Sequence, residues 1–242
     1  MPDQGSLMIA RAHSHGTWAV IPAKRFDRAK QRLVGSIAHA GCAALAAAML
    51  GDVLEQLSRT EGLAGILVVT RDAEAAAIAR SFAAAVLVDP VESGTNDAVA
   101  YGIREVSSMG ASAAIVVPGD IPFVTSAELG IVLAGLAQAP VVLVPAARDG
   151  GTNILGLSPP DAMAPAFGPD SFARHCAAAR DLRPAIIPLY GAGHDIDVAA
   201  DLAFEAVVAK SGSGIRTVAC LHRLRGASSS PLERFFKEAP SC

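Results

Sequence analysis

The chain has 242 residues, 52% of them hydrophobic but only 5% aromatic, and 20 Lys and Arg against 23 Asp and Glu leave a net charge of −3. This length suits one sizeable α/β domain, and a core of Ala, Val, Leu and Ile favours helices stacked on a buried sheet over a β-sandwich. The charge balance excludes a broad basic field for nucleic acid or an anionic membrane, so any anion must be bound locally.

Residues 1–17 read as an extension of the fold: they lack the charged-then-apolar order of a signal peptide, and no apolar run approaches the roughly 20 residues of a spanning helix. Cys42, Cys176, Cys220 and Cys242 are scattered with no C-x-x-C pair, against a zinc knuckle or disulfide framework and in keeping with a reducing cytoplasm. Residues 18–210 form the expected domain, and 211–242 a Ser/Pro-rich tail outside the core, where the Phe235-Phe236 pair is a candidate homodimer contact.

Within the domain, short apolar runs recur at Trp18–Pro22, Gly65–Thr70, Ala85–Val88, Ala113–Pro118, Val141–Pro145 and Ala185–Leu189, each reading as a buried parallel strand. Helical stretches alternate with them at Ala38–Ser58, Ala73–Phe82, Asn96–Ser107, Ser126–Ala137, Ser171–Asp181 and Ala199–Lys210. The alternation implies right-handed βαβ units: an α/β, three-layer, Rossmann-like single domain with a mostly parallel sheet. Ligands of such sheets bind in the crevice at the carboxyl ends of the strands.

After the first strand come Lys24, Arg25, Asp27, Arg28, Lys30 and Arg32, a cluster suited to a triphosphate, although a solvated basic turn has the same composition. No G-x-x-x-x-G-K-[ST] or early G-x-G-x-x-G is present, which excludes a P-loop and the dinucleotide fingerprint. The fourth strand delivers Gly119, Asp120, Ile121 and Pro122, placing Asp120 where a metal would sit. In His194-Asp195-Ile196-Asp197 the two carboxylates fall on one side of an extended chain, an oxygen pair suited to Mg²⁺ bridging to substrate phosphates. Asp197 alone also fits a cap on a helix starting near Val198.

Between the acids lie Asp149-Gly150-Gly151-Thr152-Asn153 and Phe167-Gly168-Pro169-Asp170-Ser171-Phe172. Their backbone amides, hydroxyls and a helix start at Ser171 suit a phosphate or carboxylate, while Gly150-Gly151 alone is as well a hairpin turn and Asp170 or Ser171 a helix cap. His175, four residues after Ser171, either reaches that anion or lies on the helix surface. His13 and His15 read as solvated, and Cys42, Cys176, Trp18 and Phe82 as core.

Taken in order, Ile21-Pro22-Ala23-Lys24, Ala29-Lys30-Gln31-Arg32-Leu33, Pro118-Gly119-Asp120-Ile121-Pro122, Gly151-Thr152-Asn153, the Phe167–Phe172 segment and Asp195-Ile196-Asp197 resemble the guanylyltransferases of coenzyme F420 biosynthesis. These use 2-phospho-L-lactate or phosphoenolpyruvate, and the resemblance spans roughly residues 18 to 206. The broader group includes molybdenum-cofactor guanylyltransferase, whose Gly-Gly then Arg-Met loop is here Pro22-Ala23-Lys24.

The resemblance implies transfer of GMP from GTP to a small phosphorylated three-carbon acid, 2-phospho-L-lactate, phosphoenolpyruvate or 3-phospho-D-glycerate, with release of pyrophosphate. It implies Mg²⁺ on Asp120, Asp195 and Asp197, and the acid on Thr152, Gly168 and Ser171. Lys24, Lys30 and Arg32 would face the triphosphate as catalytic groups beside Asp120. Pro22 and Lys24, with Gly94, Asn96 and Asp97 of the Glu92–Ala98 loop, would hold the nucleotide. Arg25, Val198 and Ala199 depart from the family pattern. Two other readings stay open: a nucleotidyltransferase for another acceptor such as a sugar phosphate, and a non-catalytic nucleotide-binding protein, which would be expected to have lost an acid.

Overall fold

Alternation within the strands sets the two faces of the sheet. In β1 (Thr17–Pro22), Ala19 and Ile21 join the core on one face and Trp18 and Val20 the core on the other. The same period-2 split recurs in β2 (Leu63–Thr70), where Val68 faces one way and Leu67 and Val69 the other. A strand buried on both faces needs helices on both. α1 (His39–Ser58), α2 (Ala73–Ser81) and α4 (Ser126–Leu136) supply Leu45, Ala75 and Leu129 to the first face. α3 (Thr95–Ser108) and α5 (Ser171–Ala178) cover the second through Val99, Val106, Phe172 and Cys176.

The computed structural model describes residues 15–34, 37–89, 94–204 and 212–228, so most of the N-terminal extension, Glu92, Ser93, residues 205–210 and the Phe235-Phe236 pair lie outside the described residues. With β3 (Ala85–Val88), β4 (Ala113–Val116), β5 (Val141–Pro145), β6 (Thr152–Leu157) and β7 (Ala185–Ile186), the sheet has seven strands in the order β3-β2-β1-β4-β6-β5-β7. β6 runs antiparallel to both β4 and β5, whereas the other pairings are parallel.

The sequence reading had no strand at β6 and an unbroken βαβ alternation. The reversal follows from the short connection: Ala146 N–H bonds to Gly151 O at 2.9 Å and closes a β5–β6 hairpin, a link available only to antiparallel neighbours. The hairpin reading of Gly150-Gly151 is therefore the structural one, and it brings the start of β6 to the edge where the other strands end.

The C-terminal boundary also moves. Placed outside the core in the sequence reading, α6 (Ile215–Ser228) instead packs on α1 with Cys220 and Leu221 buried. Asp52, 2% exposed on α1, accepts from the amides of Arg216 (3.0 Å) and Thr217 (2.8 Å) and from the Thr217 hydroxyl (2.7 Å), capping α6 from a neighbouring helix. α1 itself reaches a mean hydropathy of 1.3 over Ala40–Ser58, yet it is a core helix, with Leu45, Met49, Leu50, Leu54 and Leu57 buried. The last predicted helix is a 3-10 segment at Ala199–Phe204 as far as the described residues extend.

Candidate active site

The cation-rich segment after β1 folds as two 3-10 turns, Phe26–Arg28 and Gln31–Leu33. Phe26 and Leu33 are buried, and Phe26 N–H donates to Asp72 Oδ2 (2.9 Å), the residue that also caps α2. Between the turns Lys30 takes the left-handed conformation (φ 53°, ψ 36°), uncommon outside glycine and found where surrounding structure over-determines it.

The Lys30 ammonium, 7% exposed, lies 2.6 Å from Asp120 Oδ2 and 3.6 Å from Asp197 Oδ1, and Asp197 Oδ2 accepts from Arg32 at 2.9 Å. Ile196 N–H donates to the Asp120 main-chain oxygen at 3.0 Å, so the loop after β7 is stitched to the end of β4 and the three predicted acids share one site. Burial works to lower the Lys30 pKa, and the Asp120 carboxylate, with Asp197 and Asp195 behind it, outweighs that and raises it. Asp195 is pushed upward, by burial first and then by the Asp120 charge. Its position amid negative charge calls for a cation. The helix-cap alternative for Asp197 falls away, because Asp201 accepts the amides of Asp197 and Val198, each at 2.8 Å.

Two adjoining cavities open here. One of about 160 Å³ runs between the ends of β1 and β2 and the start of α3, past Val69, Arg71, Gly94 and Ala98. The other, about 230 Å³, reaches Lys30, Gly119, Asp120 and Asp197. Pro22, Lys24, Arg28 and Thr95 line both. Lys24 and Arg28 are exposed and have no ion-pair partner among the described residues, unlike Lys30 and Arg32, which are turned onto the acids. Arg28 was part of the basic cluster in the sequence but not singled out; its place on the shared wall comes from the 3-10 turn.

Of the nucleotide-side residues, Pro22, Lys24 and Gly94 line a cavity, and Asn96 and Asp97 line neither. Both ends of the Asn96 amide are taken: Oδ1 accepts from Phe167 N–H (2.7 Å) and Nδ2 donates to Phe167 O (3.1 Å). Asn96 thus ties the start of α3 to the segment that precedes α5.

Thr152 and Ser171 are brought together. Thr152 N–H donates to Ser171 Oγ at 2.9 Å, with both residues buried. Gly168 lies one turn before Ser171, its O accepting Ser171 N–H, at φ +115°, where a side chain would be strained. Asn153 donates to Ala192 O (2.9 Å) and Ala147 N–H to Gly193 O (2.8 Å), so the hairpin grips the loop that carries Asp195 and Asp197. Gly191 in that loop is irreplaceable on steric grounds, since a Cβ there would stand 2.1 Å from Phe123 O.

His175, for which the sequence offered either anion contact or surface, is not on the surface. It is fully buried, with Nδ1 2.8 Å from Thr152 Oγ1 and Nε2 accepting Ala166 N–H at 2.9 Å. Burial, with the Arg174 charge beside it, pushes its pKa down to about 4.

Solved structures share the fold. A nucleotidyl transferase from Methanothermobacter thermautotroptrophicus superposes with a TM-score of 0.57 over 84% of this chain and 99% of its own, at 16% identity, which establishes a shared nucleotidyltransferase fold. Sequence narrows it: the family described as guanylyl transferase CofC like matches residues 17–231, and the chain belongs to that family of guanylyltransferases. The phosphoenolpyruvate guanylyltransferase of Conexibacter woesei is 38% identical over 86% of this chain and 96% of its own. That of Sphaerobacter thermophilus is 35% identical over 77% and 90%.

Proposed function

We propose that the protein transfers GMP from GTP to phosphoenolpyruvate, releasing pyrophosphate, as a cytoplasmic step of coenzyme F420 biosynthesis. The observation that carries the reading is the shared cavity wall. Lys24 and Arg28, with no ion-pair partner among the described residues, stand between a pocket leading to the start of α3 and one ending on Asp120 and Asp197. A triphosphate laid along that wall would place its α-phosphorus near the acids, with its charge met by the cations. Of the three acids the sequence left open, phosphoenolpyruvate is favoured because it is named in both relatives.

A phosphate oxygen of the acceptor attacks the α-phosphorus in line; the bond from that phosphorus to the bridging oxygen of the β-phosphate breaks, and pyrophosphate takes the electron pair. The attacking oxygen is already anionic, so the site needs no strong base and works by positioning and charge cancellation. Thr152, Gly168 and Ser171 hold the acceptor, Lys24 and Arg28 the triphosphate, and Lys30 and Arg32 keep the acids in register.

Asp120, Asp195 and Asp197 are the residues that would hold Mg²⁺. The Lys30 ammonium lies against Asp120 and Asp197, and among the described residues no three acids, histidines or cysteines are grouped as metal ligands, so the ion would need substrate phosphates and water to complete its shell. When bound, Mg²⁺ supplies charge neutralisation at the reacting phosphates. Incubating the protein with GTP and Mg²⁺ and either phosphoenolpyruvate, 2-phospho-L-lactate or 3-phospho-D-glycerate, and following pyrophosphate and product mass, tests this. A GMP conjugate with phosphoenolpyruvate is expected; no conjugate with any acid overturns the reading, and a conjugate with another acid alone reassigns the acceptor.

A further inference from the structure

The Thr152–Ser171 pair is built on a third, fully buried side chain. Nε2 of His175 accepts the Ala166 amide proton, so that nitrogen carries no hydrogen. A neutral imidazole must then hold its proton on Nδ1, which lies 2.8 Å from Thr152 Oγ1 and donates to it. Thr152 Oγ1 is thereby used as an acceptor, and its own proton has no acceptor among the described residues. Ser171 is in the same position, its oxygen occupied by the Thr152 amide. These two adjacent hydroxyls each have one lone pair engaged and keep a proton with no acceptor among the described residues. Such a pair can donate two hydrogen bonds to an anionic oxygen, carboxylate or phosphate.

The same imidazole also fixes the segment before Gly168. Ala166 hangs from Nε2, and the Phe167 ring meets the imidazole edge-on with centroids 5.1 Å apart. Phe167 is held on its other side by Asn96. His175 therefore sets both the Thr152 hydroxyl and the approach to Gly168, two elements of the acceptor subsite that arrive from different parts of the chain.

We infer that His175 is the positioning residue of the acceptor subsite, holding the Thr152 hydroxyl so that its proton faces an anionic oxygen of the acceptor. The inference rests on the proposed function and deepens it. It assigns recognition of one acceptor oxygen to a hydroxyl whose direction is chosen by a buried, neutral, single-tautomer histidine.

The experiment compares wild type, His175→Gln and His175→Phe in turnover of GTP with phosphoenolpyruvate, varying each substrate separately. Glutamine presents an acceptor and a donor in place of the two ring nitrogens, and phenylalanine keeps the bulk with neither. We expect His175→Phe to raise the acceptor KM about tenfold or more, as for loss of an oriented hydrogen bond to a charged group, with the GTP KM unchanged. His175→Gln should recover most of that loss. An acceptor KM untouched in His175→Phe, or both KM values raised together, overturns the role.

Nitrogen NMR of the wild type gives a readout that survives any folding failure of the variants. The Nδ1–H tautomer at neutral pH, with an Nδ1 resonance that moves when phosphoenolpyruvate is added, is expected. An Nε2–H tautomer, or a ring indifferent to phosphoenolpyruvate in protein that turns it over, overturns the inference. Wild type that makes no conjugate with any acid sinks the proposed function instead, and the tautomer then decides the His175–Thr152 contact alone.

Discussion

Lys30 reaches back from the loop after β1 to lie 2.6 Å from Asp120, so that an ammonium sits among the acids that crown β4 and the loop after β7. Removing that charge in Lys30→Met leaves Asp120 without its ammonium partner and Asp197 with Arg32 alone. Turnover is expected to fall by about a hundredfold or more, on the scale of losing an electrostatic stabiliser in a closed site, with the circular dichroism spectrum retained. Steady-state kinetics checks it; wild-type turnover would reduce Lys30 to a structural ion pair.

Asp120→Asn keeps the shape of the side chain and removes its charge. The Ile196 amide bonds to the Asp120 main chain, not the side chain, so the loop stays stitched and the protein stays folded. Turnover is expected to vanish while the melting temperature stays near that of wild type. Activity within a few-fold of wild type would remove Asp120 from the reaction.

Gly191→Ala tests the support of the acidic loop. Its amide is held by Glu128 Oε1 at 2.7 Å, and Glu128 also closes the capping box with Thr125 at the start of α4. The added methyl would stand 2.1 Å from a main-chain oxygen, which a side-chain rotation cannot relieve. A loss of about 1–3 kcal/mol in stability is expected from overpacking, with turnover reduced more than the unfolded fraction explains. Chemical denaturation beside kinetics separates the two.

Asp52→Ala should detach α6 without touching the site. Two amides and a hydroxyl lose their buried acceptor, a cost of about 2–4 kcal/mol for a charged, multiply bonded group. Faster proteolysis within 215–228, with KM values unchanged in the fraction that remains folded, is the expected pattern. Wild-type stability would show that α6 docks by apolar contact alone.

His175 ties stability to pH. Its pKa is about 4 in the folded chain against an ordinary value near 6.5, so between these values the unfolded chain binds more protons. Stability from this residue is therefore fully present above pH 6.5 and is lost as pH falls toward 4. The full drop is of the order of 3 kcal/mol. The difference in unfolding free energy between wild type and His175→Gln, measured from pH 7 down to 4.5, should shrink by most of that amount. A pH-independent difference would contradict it.

The sequence disclosed what local pattern and charge can carry. Apolar runs located β3 and β5 to the residue, because each is an uninterrupted apolar segment, although β3 is a half-buried edge strand and β5 a buried one. The three acids were visible because they follow such strands. β6 was hidden: Thr152–Leu157 has the same apolar character as its neighbours, but its direction is set by the hairpin closed between Ala146 and Gly151. His175 was visible only as a polar residue on an Ala-rich helix; its burial depends on Thr152 and Ala166 closing over it from other elements. The Asn96 bridge was equally hidden, because nothing local says that an amide at the start of α3 meets the main chain of Phe167. A clue to α6 was Asp52 itself, a buried carboxylate on a largely apolar helix, which needs donors from somewhere.

The Asn96–Phe167 clamp has a consequence for anyone who tries to change what this scaffold accepts. The stretch from β6 through α5 looks like an exchangeable cassette, since it contains Thr152, Gly168, Ser171 and His175 in one continuous run. Yet that run is fastened at Phe167 to a side chain on α3, which lies far earlier in the chain and beside the other cavity. A graft that ignores residue 96 would arrive with its central anchor missing, so transplantation between relatives must move the two segments as a matched pair.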